Sequence, residues 1–177
     1  DSKRLASLIE GLDPAAMLKP VGSYAGSGEE PVFDLGGNVA ENAGGPRAFK
    51  YGVTREYVLG VEAFLIGGQR ITPGRRTVKG VTGYDVTALL VGSEGTLAVF
   101  GDITLRLVPK PPSVMTLLAL FSDVRAASVA VTAMTGAGLV PRCIELLDGH
   151  TLDAMRAAGN EFREQAGALL LIEVDGE

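Results

Sequence analysis

The stretch GGNVAENAGG, residues 36–45, sets four glycines and two asparagines, Asn38 and Asn42, around a single acid. Glycine lets a ligand lie against the main chain and permits positive φ, so that successive N–H groups can converge on an anion. Asparagine tolerates left-handed backbone and adds amide donors, while Ala40 and Ala43 keep bulk down. A second stretch, VGSEGT at 91–96, repeats this composition, with the hydroxyls of Ser93 and Thr96 beside Gly92 and Gly95. Binding of an anion, a phosphate above all, is the chemistry such backbone suits. Neither stretch carries the G-K-[S/T] of a P-loop or a G-x-G-x-x-G between strand and helix. Glycine turns without a ligand therefore remain the competing account of either one alone.

Other candidate groups are weaker. His150 is the only histidine and stands near a predicted helix start, so it reads as a surface or capping group before a base. Ser93 has no histidine in a recognised nucleophile arrangement, which favours a backbone-positioning role. Arg70, Arg75, Arg76 and Lys79 flank Pro73-Gly74 and read as a solvated hairpin tip. Asp102, Asp123 and Asp148 show no metal-ligand spacing, and no metal is assigned. The single cysteine, Cys143, reads as a small buried hydrophobe; it can form no internal disulfide, which suits a reducing cytoplasm, the expected location.

The elements that must position these residues are legible in the pattern. With 177 residues and 46% hydrophobic content the chain can bury a substantial core, as one domain or one and a half. A net charge of -5 argues against nucleic acid as a partner. Apolar runs fall far short of the roughly 20 residues of a membrane span, so a soluble protein is expected. Glycine numbers 24, about twice average usage, and clusters at 36–52, 67–83 and 92–101, as special backbone sites would within one folded region.

Residues 2–10 and a segment from Asp13-Pro14 read as short helices. YVLGVEAFLI, 57–66, reads as a strand that turns at Gly67-Gly68 into a hairpin. GYDVTALLVGSEG holds a short helix, and TLAVFGDITLRLVP a long bent strand with a bulge at Gly101. After the rigid PKPP of 109–112 glycine thins out. There VMTLLALF, LVPRCIELL and ALLLIEVD read as strands, separated by a helix over 123–135, N-capped by Ser122, and by a second in GHTLDAMRAA. The fold class is α+β, with a boundary near residue 112.

Taken in order, GGNVAENAGGPRAFKYGVTREYVLGVEAFL and TVKGVTGYDVTALLVGSEGTLAVFGDITLRLVPKP resemble the FAD-linked oxidases of the vanillyl-alcohol-oxidase type (PCMH-type FAD-binding), in the D-lactate dehydrogenase and glycolate oxidase large-subunit branch. The resemblance is strong from Gly36 to Pro111 and weaker beyond. It implies FAD as cofactor, oxidation of a 2-hydroxy acid such as glycolate or D-lactate, and an electron acceptor or partner subunits of an oxidase complex. It also implies that Gly37, Asn38, Asn42, Ala43, Gly44 and Gly45 lie against the flavin nucleotide. Gly92, Ser93, Glu94, Gly95 and Thr96, with Val99, would line it, and Tyr84-Asp85 would fix that loop. Arg47, Lys50 and Tyr51 have a claim to the cofactor side. The implied division is an N-terminal helical segment and junction over 1–34, an FAD-binding subdomain over 35–112 and a partial cap domain over 113–177.

Departures from the family carry expectations of their own. The family's glycine-rich phosphate loop upstream of residue 36 has no counterpart, and a long family segment is expected to be missing between about Ser27 and Leu35. Ala98 and Gly101 stand where the family has glycine and threonine, and the histidine-bearing motif of its cap is absent. A fragment or closed-up sequence is favoured over a naturally shortened product. Such a chain is expected to bind FAD weakly and to self-associate, and no residue can be given the role of catalytic base. The alternative is a non-catalytic flavin-fold subunit or interaction partner of a flavoenzyme complex.

Overall fold

The segments TLLALF and ALLLI are apolar at nearly every position, as a strand must be where both of its faces are covered. In a computed structural model, which describes residues 17–23, 35–77, 79–160 and 165–176, they lie in the two middle strands of a four-stranded sheet. The elements in chain order are β1 (Met17–Ser23), α1 (Leu35–Glu41), α2 (Ala48–Tyr51), a 3-10 turn (Thr54–Glu56), β2 (Val58–Leu65), β3 (Arg70–Ile71), α3 (Val86–Leu90), β4 (Ala98–Leu105), β5 (Ser113–Phe121), α4 (Val124–Gly136), β6 (Cys143–Asp148), α5 (Gly149–Ala157) and β7 (Ala168–Gly176). Helices and mostly antiparallel strands together make this an α+β structure. Two compact units result. Among the described residues one comprises 17–23, 46–51 and 111–176, and the other 35–45 and 52–110.

In the first unit the sheet order is β1-β5-β7-β6, antiparallel throughout. The chain leaves β5, crosses through α4 to β6 one place beyond its neighbour, and β7 returns to fill the gap. The pleat then sorts the side chains. Leu117, Ala119 and Phe121 of β5 and Ala168, Leu170 and Ile172 of β7 share one face and bury against Ala127, Ala130 and Met134 of α4. Leu120 and Leu169 point the other way and pack with Leu152 of α5. Each helix is stopped against fraying by an aspartate. Asp123 accepts from the N–H of Ala126 at 2.8 Å, and Asp148 accepts from the N–H of Thr151 at 2.8 Å. The α4 cap is thus Asp123 and not Ser122, because the carboxylate one residue later reaches the third N–H of the helix.

In the second unit β3, β2 and β4 form an antiparallel sheet. Between the pairs Val61–Ile103 and Ala63–Phe100, β4 has one residue more than β2, which places the expected bulge at Gly101-Asp102. Val39, Val58, Val61, Ala63, Leu90, Val91 and Ala98 form its core. The helices read over 2–10 and from residue 13, and the apparent junction between Ser27 and Leu35, lie outside the described residues, except that 17–23 pairs as β1, a strand that no sequence pattern suggested. Residues 46–51, which the family pattern keeps within 35–112, group with the C-terminal sheet.

Two substitutions test this architecture by chemical denaturation. Leu170→Ala, at a position with 0% exposure, should cost about 2–5 kcal/mol. Asp123→Ala should cost about 0.5–2 kcal/mol, whereas Ser122→Ala should stay within about 0.5 kcal/mol of the parent.

Candidate functional site

The two glycine stretches form one structure within the second unit. Residues 35–41 are helical, with Val39 fully buried, so the first glycines and Asn38 stand in α1 and only Ala43, Gly44 and Gly45 run on as irregular chain. Asp85 caps α3 by accepting from the N–H of Ala88 at 2.9 Å, which fixes where Val91 and Gly92 emerge. From there the N–H of Gly92 donates to Val39 O at 3.0 Å and that of Glu94 to Ala40 O at 2.9 Å. Gly92 has φ 81°, and a Cβ there would stand 3.1 Å from Asn42 Cβ and 3.2 Å from the Arg55 guanidinium. Asn42 and Glu94 themselves adopt left-handed φ of 54° and 53°.

Arg55 completes the join. Its N–H donates to Asn42 Oδ1 at 2.8 Å and its Nη2 to Val91 O at 2.7 Å, so one residue ties the two stretches together. Thr54 adds its N–H, at 3.1 Å, and its hydroxyl, at 2.8 Å, to Ala43 O. Sequence reasoning passed over Thr54 and Arg55. Within VTRE they look like an ordinary polar loop, and only the fold reveals their partners.

Within the 91–96 stretch, two of the backbone donors are already in use. The N–H groups of Gly92 and Glu94 point at helix carbonyls and are occupied there. What stays open lies to either side. A side chain at Gly45 or Gly95 would meet nothing within 4 Å. Val99 is 71% exposed on β4 opposite Phe64, itself 39% exposed. Ser93 Oγ is buried with no hydrogen-bond partner among the described residues, and Thr96 folds its hydroxyl back on Ser93 O at 2.5 Å. Open main chain and an exposed apolar strip are features a nucleotide with a flat ring can use. A cleft of about 430 Å³ in the same unit is lined by Val58, Pro73, Arg75, Thr82, Tyr84 and Asp85. Arg75 is exposed there, as expected of a solvated group, while its N–H donates to Leu59 O at 2.8 Å and its Nη1 to Gly80 O at 2.7 Å.

Tyr51 belongs with Arg47 and Lys50 to the C-terminal unit, where all three meet acids of β7. The Asp175 carboxylate, 1% exposed, accepts from Lys50 Nζ and from the Tyr51 hydroxyl and lies 3.9 Å from Arg142 Nε. Glu173 pairs with Arg47 at 3.4 Å and with Arg142 at 3.7 Å. Burial pushes the Asp175 carboxyl up, but the bonds from Lys50 and Tyr51 and the charges of Lys50 and Arg142 outweigh it and hold its pKa below the usual value. The bond to Asp175 raises the Lys50 pKa, and burial followed by the same carboxylate raises that of Tyr51. Neither is an activated base. Burial also raises the Cys143 thiol, as expected of a buried hydrophobe. His150 is exposed in the first turn of α5, and among the described residues no group of His, Cys, Asp or Glu could hold a metal ion. No described helix is long and apolar enough to cross a membrane.

Comparisons with known proteins bear on the same residues. Residues 110–177 match the family described as FAD linked oxidases, C-terminal domain. The chain is 46% identical over 146 residues to the glycolate oxidase subunit GlcD of Bacillus subtilis, covering 82% of this chain and 31% of that protein. It is 34% identical over 167 residues to a D-lactate dehydrogenase of Archaeoglobus fulgidus, covering 94% of this chain and 37% of the relative. Among solved structures an alkyldihydroxyacetonephosphate synthase superposes with a TM-score of 0.62 at 20% identity, over 80% of this chain and 28% of that one, a likeness of fold alone. The chain thus spans about a third of the length of these curated relatives.

Arg55→Ala should cost about 1–3 kcal/mol, because it strands Val91 O, and should raise amide exchange at Gly92 and Glu94 before the rest of the unit. Asp175 has a lowered pKa, so its stabilisation is present above the unfolded value of about 3.9 and is lost as pH falls through the folded value. Stability of the C-terminal unit should therefore decline below about pH 4, and Asp175→Asn should flatten that decline.

Proposed function

The chain belongs to the FAD-linked oxidase family, and from that premise we propose that it serves FAD-dependent oxidation of a 2-hydroxy acid such as glycolate or D-lactate. In this reading residues 35–45 and 52–110 form an FAD-binding subdomain and 113–177 part of a cap domain. The observation that carries it is the hydrogen-bonded union of 39–42 with 91–94, which leaves open main chain at Gly45 and Gly95 on either side. Gly44, Gly45, Gly95 and Thr96 would hold the nucleotide through backbone groups. Val99 would supply an apolar surface, and Ser93, whose Oγ is buried, would stand behind it. Asn42, Gly92 and Glu94, whose groups build the join, would shape the site from behind, together with Gly37, Asn38 and Ala43 beside them in the chain. The flavin, when bound, supplies the hydride acceptor for C2 of the hydroxy acid.

An electron acceptor or the other subunits of an oxidase complex would be the chain's partners. The engaged N–H groups of Gly92 and Glu94 favour a second reading, a flavin-fold subunit without catalysis of its own. Dye reduction separates the two: reduction of an artificial acceptor by D-lactate or glycolate in the presence of FAD supports the enzyme, and a stable heteromeric complex without it supports the subunit.

Val99→Asp provides the direct test, because an exposed strand position tolerates the change without loss of core. Titration with FAD, followed by flavin fluorescence, should show binding weakened at least about tenfold, or about 1.4 kcal/mol, with an unchanged unfolding midpoint. Equal FAD affinity in parent and variant would remove Val99 and its open face from the cofactor site.

A further inference from the structure

Residues 44–53 form a loop that begins and ends in one unit while its tip belongs to the other. Its base is closed by Thr54 on Ala43 O and by Arg55 on Asn42 Oδ1, beside the join between the glycine stretches. Its tip is α2, a single turn in which the N–H of Tyr51 donates to Arg47 O at 3.0 Å. The turn is lightly anchored: α2 has no fully buried residue, Phe49 is 46% exposed and Tyr51 is half-buried. One isolated turn is far below the length at which a helix is stable alone. Its polar attachment is to two acids of β7, with Lys50 and Tyr51 on Asp175 and Arg47 on Glu173.

Asp175 is built for the task. It sits on β7, paired to Val114 of β5 through the backbone, so its position does not depend on the loop. Facing it are Lys50 and Tyr51 of α2 and Arg142 at the entry to β6. Along β7 Glu173 takes Arg47 and Arg142. The carboxylate is almost wholly buried, whereas the side chains of Lys50 and Arg47 remain 34% and 59% exposed. The acid is therefore the fixed half of the contact and the loop the half that can leave.

We propose that the tip of the 44–53 loop is a latch, closed by Lys50 and Tyr51 on Asp175, which can open while the sheet beneath it and the base of the loop stay folded. Opening changes the constraint on the irregular chain at Gly44-Gly45, which is the backbone assigned above to the nucleotide. Only that consequence rests on the proposed function; the latch itself does not.

Limited trypsin digestion of the intact chain tests it, because Arg47 and Lys50 are themselves cleavage sites. Asp175→Asn keeps shape and removes charge. Cleavage after Arg47 and Lys50 should accelerate at least about tenfold, as a 1.4 kcal/mol shift in the open population requires, with cleavage after Arg125 and Arg156 unchanged. Unchanged cleavage at Arg47 and Lys50 overturns the latch. If Asp175→Asn speeds all four sites in step, Lys50→Met decides: faster cleavage at Arg47 alone upholds the latch, and an unchanged rate there, or an equal rise at Arg125 and Arg156, overturns it. FAD titration of the same variants reads the consequence separately, so a latch that opens without altering flavin affinity counts against the functional assignment and not against the latch.

Discussion

The N–H of Gly92 reaches Val39 O at 3.0 Å from a backbone with φ 81°, packed so closely on Asn42 and Arg55 that a Cβ would stand 3.1 and 3.2 Å from them. That approach governs the geometry of the glycine stretches in its unit. It brings the 92–96 turn beside Asn42 and lets Arg55 bridge the two stretches. It also leaves Gly45 and Gly95 as the open ends of a single feature. A side chain at position 92 would meet Asn42 and Arg55 together, so the join allows no bulk there. The glycines thus divide into those that make the structure and those that leave room on it, a distinction composition does not express.

The C-terminal unit is organised by β7, which works differently along its length. Its first half is apolar on both faces and is covered by α4 on one and α5 on the other. Its last turns of pleat place Glu173 and Asp175 on one face, where neither helix covers them, and basic residues close over them. A carboxylate as buried as Asp175 is tolerable only with its bonds satisfied. The arrival of Lys50 and Tyr51 answers that demand from a segment far away in the chain.

Similarity to the glycolate oxidase and D-lactate dehydrogenase relatives and the hydrogen-bonded geometry of the glycine stretches point the same way, and they do so from different kinds of evidence. The former rests on residue identity over most of this chain, the latter on backbone contacts that any sequence with glycine at those positions could make.

Local pattern was enough to locate β2, the bulge at Gly101, α3, and the β5-α4-β6-α5-β7 succession, because strand and helix periods, glycine turns and cap residues act over a few neighbours. The family likeness was likewise legible in the motifs around 36–45 and 83–96. Three matters lay beyond that range: the union of those motifs through Arg55, the occupation of the Gly92 and Glu94 donors by helix carbonyls, and the pairing of Tyr51 with Asp175. Each depends on groups separated by tens of residues or more, whose hydrogen-bonding needs are met only after the chain has folded. Residue type decided which local shapes were available, and tertiary structure decided which donors remained for a ligand.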